Sequence, residues 1–168
     1  MPQNDRPVNI RRNIENYGDP YIPTASAHEV KICSKCNSVY HDKRWYMRKQ
    51  VPPEILRKAD KTHVLCPACQ KIRDRMPGGV VHLSGVFLRD HKEEILNLIR
   101  NESGRAMAIN PLERIMDIET VNSGLNVLTT NEKLAQRIGR ALYKAYDGNV
   151  TYKWSEDTKL VRILWQRD

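Results

Sequence analysis

Cys33 and Cys36, in KICSKCN, and Cys66 and Cys69, in VLCPACQK, form two CxxC pairs with twenty-nine residues between the inner cysteines. A CxxC turn presents two thiolates to one side of an ion, and a second pair closes the other side of a tetrahedron. Four thiolates fill that shell, so no position is left for water and the ion builds structure rather than activating a nucleophile. Its binding energy, about 10–16 kcal/mol in small zinc domains, becomes folding energy for a segment too polar to fold alone. The expectation is a structural Zn2+ held by Cys33, Cys36, Cys66 and Cys69. Thiolates alone do not choose between zinc and an iron–sulfur cluster. CPAC could also serve disulfide exchange, which needs a strand entering and a helix leaving the pair within a βαβ unit. CSKC stands in the same small region, and MPGG at 76–79 cuts short any helix after Cys69.

His41, His63, His82 and His91 are further metal-ligating types, His41 being only five residues beyond Cys36 and next to Asp42. Four cysteines already complete the shell. No Ser/His/Asp set, P-loop or HExxH helix accompanies the histidines, so no enzymatic activity is expected. Cations are dense around the cysteines: Lys35, Lys43, Arg44, Arg48, Lys49, Lys71, Arg73 and Arg75, with Trp45 and Tyr46 among them. Cations hold phosphates without reading sequence, and exposed aromatics stack on unpaired bases. These ten residues are the candidate nucleic-acid surface. For Trp45 the competing role is to cover the zinc knuckle.

The charge distribution agrees with that placement. The formal charge of the 168 residues is +8. Residues 1–75 hold fifteen Lys and Arg against eight Asp and Glu, a net of +7, and residues 76–168 hold thirteen against twelve, a net of +1. A field so localised points to nucleic acid or a ribosome. A hydrophobic share of 40% with 29% charged residues belongs to a globular chain. No apolar run approaches the roughly 20 residues of a membrane span. The first 28 residues show no signal-peptide core, so the expected location is cytoplasmic, where cysteines favour metal over disulfides.

The elements that must position these groups divide by composition. Residues 1–28 read as a disordered polar tail. Residues 29–79 read as a zinc ribbon, with a hairpin through SVY and RWYM and a helical turn or two after Pro52 and Pro53. Residues 80–110 read as a strand, VVHLSGVFL, broken at Gly85, and a linking amphipathic helix with Leu88, Ile95, Leu98 and Ile99 on its apolar face. That helix ends near Gly104 or one to two turns later, before Pro111. Residues 111–168 read as a ββαββ unit, an antiparallel sheet with one helix whose stripe is Leu134, Ile138, Ala141, Leu142 and Ala145. Thr129 with Glu132 offers a capping box and Gly148 a C-cap. The expected fold class is α+β.

CSKCNSVYHDKRW, CPACQKIRDRMPGG, LSGVFLRDHKEEILNLIRN and LERIMDIE together resemble a family of short bacterial zinc-ribbon proteins. More distantly, the CxxC pairs and GLNVLTTNEKLAQRIGRAL are similar to the zinc-bearing part of nonsense-mediated decay protein three, the large-subunit export adaptor of eukaryotes and archaea. The resemblance implies a ribosome or rRNA ligand met through the zinc region. This chain has two CxxC pairs where the adaptor has more. Two functions follow as expectations: ribosome or RNA binding, in assembly, quality control or stress, or a protein–protein adaptor acting through the ββαββ unit. Neither a membrane nor a small-molecule substrate is expected.

Overall fold

The computed structural model describes Tyr21, residues 28–60 and residues 62–168. The expectation of a disordered tail over 1–28 lies outside the described residues except at Tyr21 and His28. The fold is α+β.

The cysteine region opens with a small antiparallel sheet of β1 (Lys31–Ile32), β2 (Val39–His41) and β3 (Arg44–Tyr46). Asp42 and Lys43 join β2 to β3 with φ of 48° and 60°. Positive φ at both central residues is the turn that matches the twist of two-residue hairpins. A 3-10 turn, Arg48–Gln50, and a single helical turn, α1 (Pro53–Leu56), follow. Next comes α2 (Pro67–Asp74), and in both helices proline takes the first position, where its missing N–H costs nothing. Such short elements bury little. Val30, Val39 and Val51 form one small core, and Tyr40, Trp45 and Ala68 surround the cysteines in another.

The remaining elements are β4 (Gly79–Ser84), α3 (Val86–Asp90), α4 (Lys92–Ile109), β5 (Ile115–Val121), β6 (Gly124–Thr129), α5 (Glu132–Tyr146), β7 (Asn149–Trp154) and β8 (Val161–Gln166). Their sheet has the order β5-β6-β4-β8-β7. The expected antiparallel sheet needs correction. The strand read as part of a link is its central member, antiparallel to β6 but parallel to β8. Burial explains the placement: Gly79, Val81 and Leu83 of β4 are buried on the face that carries Leu125 and Val127 of β6 and Val161, Ile163 and Trp165 of β8. Strand periodicity puts Val80, His82 and Ser84 on the other face. The strand stops at Ser84, at the break expected at Gly85, which turns the chain at φ 106°, where a Cβ would lie 2.0 Å from the Arg167 carbonyl oxygen.

Helix α4 runs through Gly104, which faces open space, and ends at Ile109 before Asn110 and Pro111. It packs Ile95, Leu96, Ile99 and Ala106 into the same core as Leu134, Ala135, Ile138 and Leu142 of α5. The cap of α5 is Asn131, whose side chain accepts from Leu134 N–H at 3.0 Å, not the expected Thr129. Thr129 is buried at the end of β6, where its hydroxyl donates to the Gly79 and Asn131 carbonyls. At the other end the C-cap is Asp147, with Gly148 following at φ 91°. Trp165 is fully buried and its indole N–H donates to the Asp147 carbonyl at 2.8 Å. Trp165→Ala should lower the unfolding free energy of this layer by about 3–5 kcal/mol, since it opens a cavity and orphans that carbonyl. Urea unfolding followed by far-UV circular dichroism measures it.

Candidate metal centre

Each cysteine reaches the centre from a local fold that its own sequence enforces. The first knuckle closes when Cys33 N–H donates to the Ser38 carbonyl (2.8 Å) and Asn37 N–H to the Cys33 carbonyl (2.9 Å), with Asn37 at φ 62°. Asn tolerates that left-handed conformation better than most residues. Cys66 is the N-cap of α2, so the helix's first turn carries Cys69 back over it. A single parallel bridge between Cys33 and Val64 sets the knuckles side by side. Backbone N–H groups point at sulfur: Cys66 N–H donates to Cys33 Sγ at 3.3 Å and Cys69 N–H to Cys66 Sγ at 3.4 Å.

The four Sγ atoms lie within 4.8 Å of one another and could hold a metal ion. Cys36 Sγ and Cys66 Sγ are 3.7 Å apart. A tetrahedron of sulfurs about 2.3 Å from a central zinc has edges of about 3.8 Å, so the donors fit one such ion. All four cysteines are free thiols, and all but Cys36 are buried.

A residue that no motif flagged completes the centre. Arg114, just before β5, directs its guanidinium at three of the sulfurs: Nη2 lies 3.0 Å from Cys66 Sγ and 3.6 Å from Cys36 Sγ, and Nη1 lies 3.5 Å from Cys69 Sγ. Burial pulls the Arg114 pKa down, yet the Cys66, Cys36 and Cys69 sulfurs carry it above its usual value. The hydrogen bond from Cys66, helped by Ser38 and Arg114, holds the Cys36 thiol far below the ordinary thiol range. The same hydrogen bond and burial push Cys66 up. Burial raises Cys69. Arg114 thus gives the cluster its own buried counter-cation, suited to thiolates that bind a divalent ion.

The Arg114 main chain is pinned in turn. Its N–H donates to Thr130 Oγ1 (2.9 Å), and its carbonyl accepts from Thr130 N–H (2.9 Å). The Thr130 hydroxyl donates to the Leu112 carbonyl at 2.6 Å, and Leu112 packs against the cysteine core. Lys71 Nζ of α2 donates to the Thr130 carbonyl at 3.1 Å. On the other side, Gln50 and Arg44 reach the Ala108 and Ile109 carbonyls at the end of α4 (3.1 and 3.5 Å), groups that a helix C-terminus leaves without intrahelical partners.

The candidate nucleic-acid residues separate into three kinds. Lys35, Lys43, Arg44, Arg48, Lys49 and Arg75 are exposed, with Lys43 in the hairpin turn and Arg75 capping α2 in the left-handed region. Arg73 is exposed but paired with Asp74 at 2.6 Å, and Lys71 is half-buried on Thr130. Trp45 is 6% exposed, packed with Tyr40 (ring centroids 5.5 Å apart) in the cysteine core. It covers the knuckle and offers no face to a base, which corrects its place in the nucleic-acid surface. Tyr46 is half-buried against His41 (4.5 Å). The histidines lie outside the cluster; His82 bonds Asn126, and His91 stacks on Phe87.

No family model, curated protein or solved structure matches this chain. Among the described residues, no helix is long and apolar enough to cross a membrane.

Proposed function

We propose that this chain is a non-catalytic zinc-ribbon protein that binds the ribosome or another structured RNA through the basic surface of its cysteine region. Zinc is the ion favoured for the four thiolates. The 3.7 Å sulfur–sulfur edge suits a single ion, whereas bridging sulfides inside an iron–sulfur cluster spread its cysteines further apart. A closed tetrathiolate shell is structural, so the chemistry offered to a partner is that of the surface around it.

The observation that carries the RNA reading is the exposure of Lys35, Lys43, Arg44, Arg48, Lys49 and Arg75 over one small metal-stapled region. Such a number of exposed cations on so short a segment, of which Arg44 also reaches the Ile109 carbonyl, exceeds what solubility asks for and matches a phosphate-lined partner. Reversal of Arg44, Arg48 and Lys49 together to Glu should weaken co-sedimentation with purified ribosomes. It should also flatten the dependence of log K on log salt by about 0.7–0.9 for each phosphate no longer neutralised. A triple variant that folds, keeps its metal and sediments with ribosomes as wild type does would remove this reading. Capture from lysate that survives ribonuclease would then promote a protein adaptor acting through the five-stranded sheet and its helices.

A further inference from the structure

Helix α5 carries a second cationic surface, in the half of the chain whose net charge is nearly zero. Lys133, Arg137, Arg140 and Lys144 recur at spacings of four, three and four residues. At 3.6 residues per turn they share an arc of about 60° over about 16 Å of helix length. That arc lies opposite the buried stripe of Leu134, Ala135, Ile138 and Leu142, so it faces out. Lys133, Arg140 and Lys144 are exposed, and Tyr143, beside Arg140 and Lys144, is 42% exposed. Arg137 is engaged by Glu102 at 2.8 Å, and the half-buried Glu113 sits within the field of Lys133 and Arg137. The rest of the arc has no acidic residue on its own helix except Glu132.

The N-terminal end of the stripe lies near the cysteine region. Thr130 and Asn131 lead into α5, and Lys71 of α2 bonds the Thr130 carbonyl, so the first turn of α5 adjoins the helix that bears Arg73 and Arg75. A row of cations flanked by an exposed tyrosine is the chemistry that tracks a nucleic-acid backbone and stacks a base. By contrast Lys153 and Arg162 pair across β7 and β8 on the sheet face turned away from the helices.

We infer that the outer face of α5, through Lys133, Arg140, Lys144 and Tyr143, is a second RNA-backbone contact that extends the one on the cysteine region. The inference rests on the RNA reading and deepens it, because a strand held at both surfaces is bound more tightly than by either alone.

The test uses the full chain, loaded with zinc, and fluorescein-labelled single-stranded oligouridylate followed by anisotropy across a salt series. Lys133→Glu, Arg140→Glu and Lys144→Glu together should weaken binding by about tenfold and lower the salt slope by about 2, at about 0.7 per phosphate on a single strand. Lys153→Glu with Arg162→Glu should leave both unchanged. The neutral set Lys133→Gln, Arg140→Gln and Lys144→Gln should move both in the same direction by a smaller amount, which keeps the question answerable if the reversed helix is unstable. Wild-type binding by the α5 variants, alongside weak binding by the Arg44, Arg48 and Lys49 reversal, would overturn the second contact and leave the first standing. Equal losses from the α5 and the Lys153/Arg162 reversals would reduce the effect to net charge and also overturn it. A wild-type chain that binds neither oligouridylate nor ribosomes would overturn both.

Discussion

Cys33→Ser or Cys66→Ser should abolish stoichiometric zinc and unfold residues 29–78 while leaving the five-stranded sheet intact. Both sulfurs are fully buried, and each serves as a hydrogen-bond acceptor as well as one of the four donors that could hold an ion. A serine hydroxyl is a harder and poorer ligand, so losing one corner of the tetrahedron forfeits most of about 10–16 kcal/mol of metal-linked folding energy. The small valine core and the Tyr40–Trp45 pair cannot replace that. The sheet survives because its core, from Val81 through Trp165, contains no cysteine. Elemental analysis of the freshly purified chain gives the stoichiometry, and amide hydrogen exchange shows which half loses protection. Less than about half a zinc per wild-type chain, or full protection of residues 29–78 in the serine variants, would contradict a structural ion.

The second large effect belongs to Arg114. Four thiolates around a divalent ion leave a formal charge of −2 in a mostly buried place, and burying charge without a partner is costly. Two guanidinium nitrogens shared among three sulfurs offset it. Arg114→Met keeps the packing volume and removes the charge; zinc affinity should fall about 10- to 100-fold, the range seen when a ligand's hydrogen-bond partner is removed. Arg114→Lys should recover only part, because an ammonium is a point charge and cannot fork across separate sulfurs. Zinc transfer to a chromophoric chelator measures both variants. Unchanged transfer from Arg114→Met would show that the guanidinium does not help to hold the ion.

The cysteines were legible because a CxxC pair states its geometry within four residues. Arg114 was not, since its approach to Cys36 and Cys66 crosses long stretches of sequence and only the tertiary fold creates it. Its one trace in the sequence is a lone cation between Leu112 and Ile115 at the mouth of a strand. Trp45 could be read two ways, because a tryptophan beside cations suits either a base or a knuckle, and only burial separates them. Strand β4 was found by its alternation, but alternation does not say which strands lie beside it, and the parallel partner β8 is set by packing against α4 and α5. On α5 Leu134, Ile138 and Leu142 were plain from their spacing, but Ala145, expected in the apolar stripe, is exposed and Ala135 takes a buried place instead, while the cationic stripe was hidden by averaging charge over the whole second half.

The parallel pairing of β4 with β8 also sets an order of events during synthesis. All four cysteines have been made by Cys69, so the cysteine lobe can close while the chain is still growing. The middle of the sheet cannot, because β4 waits for Val161–Gln166 to occupy its other edge. At about 5–20 residues per second that interval lasts roughly 5–20 s. Until Gly124–Thr129 pairs with it β4 has two open edges, and from then until β8 arrives it has one, with a face of Val81 and Leu83 that is fully buried only in the finished fold. Arg114 and Thr130 emerge partway through, and docking them on the closed lobe would hold β5 and the end of β6 in register before β8 arrives. A nascent chain halted just short of Val161 would carry a finished cysteine lobe beside an open strand edge, the state most exposed to misassembly and to chaperone capture.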